Sequence, residues 1–315
     1  MLRFSPIKYT LCVNAILLFS HGSVLCGAGE NLKQLAREME IQNAAPIVEA
    51  GFLNYSEPLL TQAFAKCVGR GATSVTIVPF FLVAGKFVQV DLPRAVEKVR
   101  PDFAQTEIFL ADAMTDHPLL CDAILNRAQT ALPPSAWREI WNTAPQFCQM
   151  NPQCPRFGSA ECKVRSAELL QANESEIGDL QFAVSNSALR TSHSALVVLV
   201  HGSPRPESND ALFRVVEQVR ARKVFDDVRV GFMECNAPSI PDAIAECVAA
   251  GAKSVVAVPY FLHAGNHVAD DLPTHLEETQ EKYPGVSFAM SDYLGRDAAI
   301  LEVLKDRARD AKKYA

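Results

Sequence analysis

Gly71–Pro93 reads GATSVTIVPFFLVAGKFVQVDLP, and Gly251–Pro273 reads GAKSVVAVPYFLHAGNHVADDLP; 14 of these 23 positions are identical without a gap. The two stretches lie 180 residues apart. Working outward, the same offset relates His21-Gly22-Ser23 to His201-Gly202-Ser203, Gly51-Phe52 to Gly231-Phe232, and Pro58 to Pro238. A constant offset over separate landmarks means that one α/β unit of roughly 115 residues occurs twice. The 315-residue length agrees with that, since about 150 residues per domain suggests two. The division reads as a first repeat over 1–130, an inter-repeat linker or insertion over 131–194, and a second repeat over 195–315.

Each copy alternates strand and helix signals. In the second copy Ala195–Val200 is a continuous apolar run, as a parallel strand buried on both faces requires. Asp210–Lys223 carries Leu212, Val215, Val216 and Val219 at near-helical period. Val228–Met233, Ser254–Phe261 and Val286–Met290 read as further strands. Pro238–Ala250, Leu272–Lys282 and Ala298–Lys313 read as helices, with Pro241 tolerated in a first turn. The first copy gives strands at Ala15–Ser20, Pro46–Leu53, Ser74–Phe81 and Glu107–Leu110. Strand–helix alternation predicts an α/β fold with a parallel, right-handed sheet in each repeat. Between the repeats, Pro133–Ser194 matches neither copy; it holds Trp137, Trp141 and a helical signal at Ala167–Ala172.

Composition narrows the function. Lys+Arg 30 against Asp+Glu 36 gives a formal charge of −6 with no basic patch, so a nucleic-acid partner is not expected. No apolar run reaches the roughly 18 residues of a membrane span. The nine cysteines include no C-x-x-C, which argues against a zinc ribbon or redox motif and for a reducing, cytoplasmic setting. Cys148, Cys154 and Cys162 have spacing that favours ordinary thiols. Arg3, Lys8, the apolar Leu11–Phe19 and Gly27-Ala28-Gly29 sketch a signal peptide. The repeat argues instead that Ala15–Ser20 is a core strand delivering His21.

Ligands bind beyond the carboxyl ends of strands in open parallel sheets. In the second repeat those ends carry His201, Glu234 and His267, with His263 nearby. Each step from His201 to Glu234 to His267 spans 33 residues, one strand–helix–strand unit. Two imidazoles and a carboxylate suit Co²⁺, Fe²⁺, Ni²⁺ or Zn²⁺, and they accept protons near neutral pH. The first repeat keeps His21 but has Asn54, Val83 and Phe87 where the second has Glu234, His263 and His267. It therefore keeps the scaffold and loses the chemistry, leaving it free to form the opposite wall of an inter-domain cleft. Asp271 recurs as Asp91, where no site histidine exists, so a structural cap before Leu272-Pro273 accounts for it better than an orienting role. His275 reads as a surface residue, and His117 and His193 suggest no partner.

Val198–Ser203 (strand-H-G-S), Phe232, Glu234, Pro238 and Ile240 (F-x-E, then P-x-I), and Pro259–Pro273 (P-x-F-L-x-x-G-x-H-x-x-x-D-x-P) together resemble the sirohydrochlorin chelatases, the class II chelatases. The resemblance implies a pair of Rossmann-like lobes with the site in the cleft between them. It implies insertion of Co²⁺ or Fe²⁺ into sirohydrochlorin for cobalamin or siroheme synthesis, with the metal as substrate and no organic cofactor. It assigns metal binding and proton removal to His201, His267 and Glu234. Asn54 and Phe87 put a second active site in doubt. Around the tetrapyrrole and its carboxylates, Arg205 is a candidate for bidentate pairing, with Ser203, Asn209 and His263 as further substrate contacts and Lys86 as a candidate from the facing lobe. Ser203 and Asn209 have the alternative of capping the following helix. Two fused copies stand in for a homodimer, so a monomer or weak homo-oligomer is expected. The rival functions are a non-catalytic metal or tetrapyrrole carrier, and a hydrolase using His201 and Ser203; the second lacks a G-x-S-x-G elbow.

Overall fold

A computed structural model describes residues 12–23, 29–138, 193–263, 265 and 267–314. The segment with Ala167–Ala172, Trp141, Cys148, Cys154 and Cys162 lies outside them. The first sheet is built from β1 (Asn14–Ser20), β2 (Ile47–Phe52), β3 (Ser74–Pro79) and β4 (Glu107–Leu110), in the order β2-β1-β3-β4. The second uses β5 (Ser194–Val200), β6 (Asp227–Phe232), β7 (Ser254–Pro259) and β8 (Ser287–Met290), in the order β6-β5-β7-β8. All pairings among these eight strands are parallel. The central strands carry the continuous apolar runs: Ala15–Ser20 is wholly buried, as is Ser194–Leu199. Strand β1 is therefore a core element, as the repeat requires.

The helices are α1 (Glu30–Ile41), α2 (Leu60–Gly69), α3 (Leu92–Val99) and α4 (Leu119–Gln129) from the first repeat. From the second come α5 (Asp210–Ala221), α6 (Ile240–Ala249), α7 (Leu272–Gln280) and α8 (Ala298–Arg309). A π-helical turn precedes α3 at Phe87–Asp91 and α7 at His267–Asp271. Helix α6 starts where Ser239 accepts from the Asp242 N–H, with Pro241 in its first turn.

The repeats exchange their last helices. Helix α4 leaves its own sheet to pack on α5 and β7, and α8 packs on β3 and α1; the two also meet each other. One apolar core consequently runs between the sheets, joining Leu18, Val78, Leu120 and Ile124 to Val198, Val258, Leu301 and Leu304. Two outer cores close the far faces, α2 and α3 over the first sheet and α6 and α7 over the second. Trp137, just beyond the first repeat, is buried in the second lobe's outer core, where its Nε1–H donates to the Leu132 carbonyl at 2.9 Å. The helix read as Ala298–Lys313 ends at Arg309. Lys312–Lys313 forms β9, antiparallel to β4 of the first sheet. An open sheet edge overrides local helix propensity here.

Candidate active site

In each sheet the chain runs from the central strand to one neighbour, then crosses to the other side. The loops after β5 and β7 therefore diverge from a topological switch point, where a crevice opens. Leu199 and Pro259 are in register, so the residues that follow them emerge side by side. This brings His201 and His267 together. Their ring centroids are 4.8 Å apart, with planes at 75°.

Each imidazole is held by its Nδ1. His267 Nδ1 bonds Asp271 Oδ2 at 2.7 Å across the π-helical turn. His201 Nδ1 bonds the Gly202 carbonyl at 3.2 Å. Both oxygens accept, so in the neutral ring each Nδ1 carries the hydrogen and each Nε2 keeps its lone pair. The cap reading of Asp271 is corrected by this geometry. Asp271 makes no side-chain cap bond to α7, whereas it does bond His267. Asp91 has the same carboxylate but a different partner, Lys86 Nζ at 3.1 Å.

Glu234 follows β6, on the opposite side of β5 from β7. Its N–H donates to the His201 carbonyl at 2.9 Å, and it is exposed. Among the described residues, no group of three or more His, Cys, Asp and Glu is arranged to hold an ion. The structure thus joins the two imidazoles and leaves Glu234 beside them rather than closing a three-membered set. Strand order sets this arrangement: β6 and β7 flank β5, so Glu234 and His267 lie on loops from opposite sides of it.

The remaining candidates separate. Ser203 Oγ accepts from the Arg205 N–H at 3.1 Å, a turn contact. Asn209, 6% exposed, donates to Asn236 Oδ1 at 3.1 Å; it makes no cap bond to α5. Arg205 is exposed in the loop. His263 turns toward the first lobe, its Nε2 lying 2.7 Å from Ser20 Oγ and its ring edge-on to Phe80 at 5.1 Å. It ties the two sheets together beside the site. His117, unpartnered in the sequence reading, has Nε2 at 3.3 Å from Asp306 Oδ2 on α8.

Sequence reasoning missed Asn236. Its Oδ1 accepts from the Ser203 N–H at 2.7 Å and from Asn209, so it anchors the loop that carries His201. The signal was present in the repeat: Ser56, at the same offset, accepts from the Ser23 N–H at 3.1 Å. In the first lobe Phe87 stands where the second has His267, and it packs among rings. His21 lies 4.2 Å from Phe87 and 5.6 Å from Tyr55, and Phe87 stacks on Phe81 at 6.0 Å.

Fold and site define a class: twin parallel-sheet lobes with paired imidazoles at the switch point of one. The chain belongs to the CbiX family, whose model matches residues 15–131 and again 195–311. The sirohydrochlorin cobaltochelatase of Methanococcus maripaludis is 34% identical over 36% of this chain and 96% of its own length. The sirohydrochlorin cobaltochelatase of Priestia megaterium is 21% identical over 95% of this chain and 80% of its own. The chloroplastic sirohydrochlorin ferrochelatase of Arabidopsis thaliana is 35% identical over 36% of this chain and half of its own. Among solved structures, SirB from Bacillus subtilis with Fe³⁺ superposes with a TM-score of 0.67 at 16% identity, covering 95% of both chains; this is a likeness of fold.

Proposed function

We propose that this chain is a sirohydrochlorin chelatase that inserts Co²⁺ or Fe²⁺ into the macrocycle, with His201 and His267 as its working imidazoles. The observation that carries the reading is the ring pair, 4.8 Å between centroids, each Nδ1 tied to an oxygen. Two fixed Nε2 lone pairs offer an incoming ion a partial coordination set. An incomplete protein set is what a site that hands metal on requires, because a closed one retains it.

Insertion removes two pyrrole N–H protons for each divalent ion gained. The Nε2 atoms serve in turn, holding the ion on approach and accepting protons as it leaves. Glu234, exposed beside His201, supplies a carboxylate able to swing toward either partner. Asp271 fixes the tautomer and heading of His267. Holding ion and ring together turns a bimolecular encounter into a positioned one.

We infer too that the protein acts as a monomer in a reducing, cytoplasmic setting, with the first lobe standing where a second subunit would. Burial pushes the Cys67 and Cys247 thiols up to about 12, which keeps them as unreactive packing groups. No helix among the described residues is long and apolar enough to cross a membrane.

The test is metal insertion followed by the macrocycle's absorbance. Wild type accelerates insertion over the spontaneous rate, and His201→Ala returns it to near that rate. Asp271→Asn retains the fold and loses roughly 10–100-fold, as expected for a residue that orients a ligand. Equal rates for wild type and His201→Ala overturn the assignment. Stoichiometric binding without acceleration identifies a carrier instead.

A further inference from the structure

The first lobe has Asn54 and Phe87 where the second has Glu234 and His267. A cavity of about 340 Å³ opens at the corresponding strand ends, lined in part by Asn54, Lys86, Phe87, Asp91, Arg94 and Lys98. Three cations face one carboxylate, a net charge of +2 in a chain whose total is −6. Lys86 is paired with Asp91 at 3.1 Å. Arg94 and Lys98 are exposed and form no ion pair among the described residues. They stand one turn apart on α3, an i,i+4 spacing that sets like charges side by side. The repeat shows that the scaffold does not demand this: the equivalents of Lys86, Arg94 and Lys98 in the second repeat are Asn266, Thr274 and Glu278.

One wall of this cationic pocket is aromatic. Phe87, which lines the pocket, is 37% exposed, and its ring packs on His21. Such rings offer a face on which a planar π-system stacks. The carboxyl ends of the two sheets meet next to His21, the ring on which Phe87 packs: Ser20, which precedes His21, touches His263, four residues before His267.

We propose that this pocket is a binding subsite for a planar ring bearing carboxylates, with Phe87 receiving the ring face and Arg94 and Lys98 the acid side chains. Resting on the chelatase reading, the ligand is the tetrapyrrole's own carboxylate-bearing edge. The chain's net negative charge repels a polyacid, so affinity must come from such a local cationic set. Arg94 supplies the planar fork that pairs with a carboxylate in bidentate fashion. The duplicated lobe thereby trades metal chemistry for substrate capture.

The experiment is a metal-free titration of the full-length protein with uroporphyrin, an octacarboxylate porphyrin, followed by fluorescence at several salt concentrations. The Arg94→Glu/Lys98→Glu double variant raises Kd by about tenfold or more and flattens the salt dependence. Phe87→Ala raises Kd with the salt dependence unchanged. Arg94→Gln/Lys98→Gln gives the same direction should charge reversal impair folding. An unchanged Kd and salt slope in both double variants overturn the subsite while leaving metal insertion untouched. Failure of wild type to accelerate insertion overturns the chelatase reading, and the titration still reads the pocket independently.

Discussion

Gly202 makes the position of His201 possible. Its φ is +95°, and a Cβ there would sit 1.9 Å from the Glu234 carbonyl oxygen. Both facts exclude a side chain, one through the left-handed backbone and one through the close approach of the loop after β6. Gly22 meets the same restrictions against Asn54, at φ +88° and 1.8 Å. A paired substitution separates scaffold from chemistry. Gly202→Ala and Gly22→Ala each cost about 1–3 kcal/mol of stability, read as a lower unfolding midpoint. Gly202→Ala also lowers kcat for insertion, by roughly 100-fold, because it displaces a reacting imidazole, whereas Gly22→Ala displaces Asn54 at the substrate pocket and acts on KM. Equal losses of kcat in both variants would show that the first lobe carries chemistry as well. At this scale the sequence was legible for His201, which follows the apolar run of β5, and for His267, which lies in the connection after β7. It was not legible for His263, because its partner Ser20 lies 243 residues away in the other lobe. Asp271 escaped for another reason: the same residue type in both repeats serves a histidine in one and a lysine in the other.

Among the elements, the strands were readable and the helix destinations were not. A strand buried on both faces announces itself by an unbroken run such as Ala195–Val200. A helix announces only that it has an apolar face, not which sheet that face covers. The exchange of α4 and α8 is therefore invisible in the period of their apolar residues. It has a consequence for stability. Leu304, on α8, is fully buried in the core shared by the two lobes. Leu304→Ala costs about 2–5 kcal/mol through lost transfer energy and the cavity left behind. Since α8 lies on β3 and α1, the variant loosens the first lobe although the change lies in the second repeat. Hydrogen exchange should show faster opening in β3 together with α8, within one cooperative thermal transition. Faster exchange confined to residues 194–313 would contradict a shared core.

For the whole molecule, the same exchange makes acid sensitivity a property of the junction. Residues 111–118 carry the chain from the first sheet to α4 on the second lobe, and two of them face helices of the second repeat. Asp116 accepts from Arg214 of α5 at 2.8 Å, and that guanidinium holds its carboxyl below the ordinary 3.8. Next to it, His117 is lowered from 6.5, first by burial and then by the Arg307 charge, against the pull of Asp310 and Asp116. Its Nδ1 accepts from the Leu119 N–H while Nε2 faces Asp306, an arrangement that suits the neutral ring. Both shifts have the same sign for stability. A depressed carboxylate stabilises above its unfolded pKa, and that contribution disappears as pH falls through the folded value. A depressed histidine binds its proton more readily when unfolded, so stability begins to fall below about 6.5. Thermal melts from pH 8 to pH 3 should therefore show an early decline that His117→Asn removes. A later decline, below about 3.8, should be shallower in Asp116→Asn. Because Asp116 and Arg214 are both partly exposed, the second effect is small and weakens further in high salt. An early decline of equal depth in His117→Asn would move the acid-sensitive group elsewhere, and a salt-independent late decline would exclude the Asp116–Arg214 pair as its source.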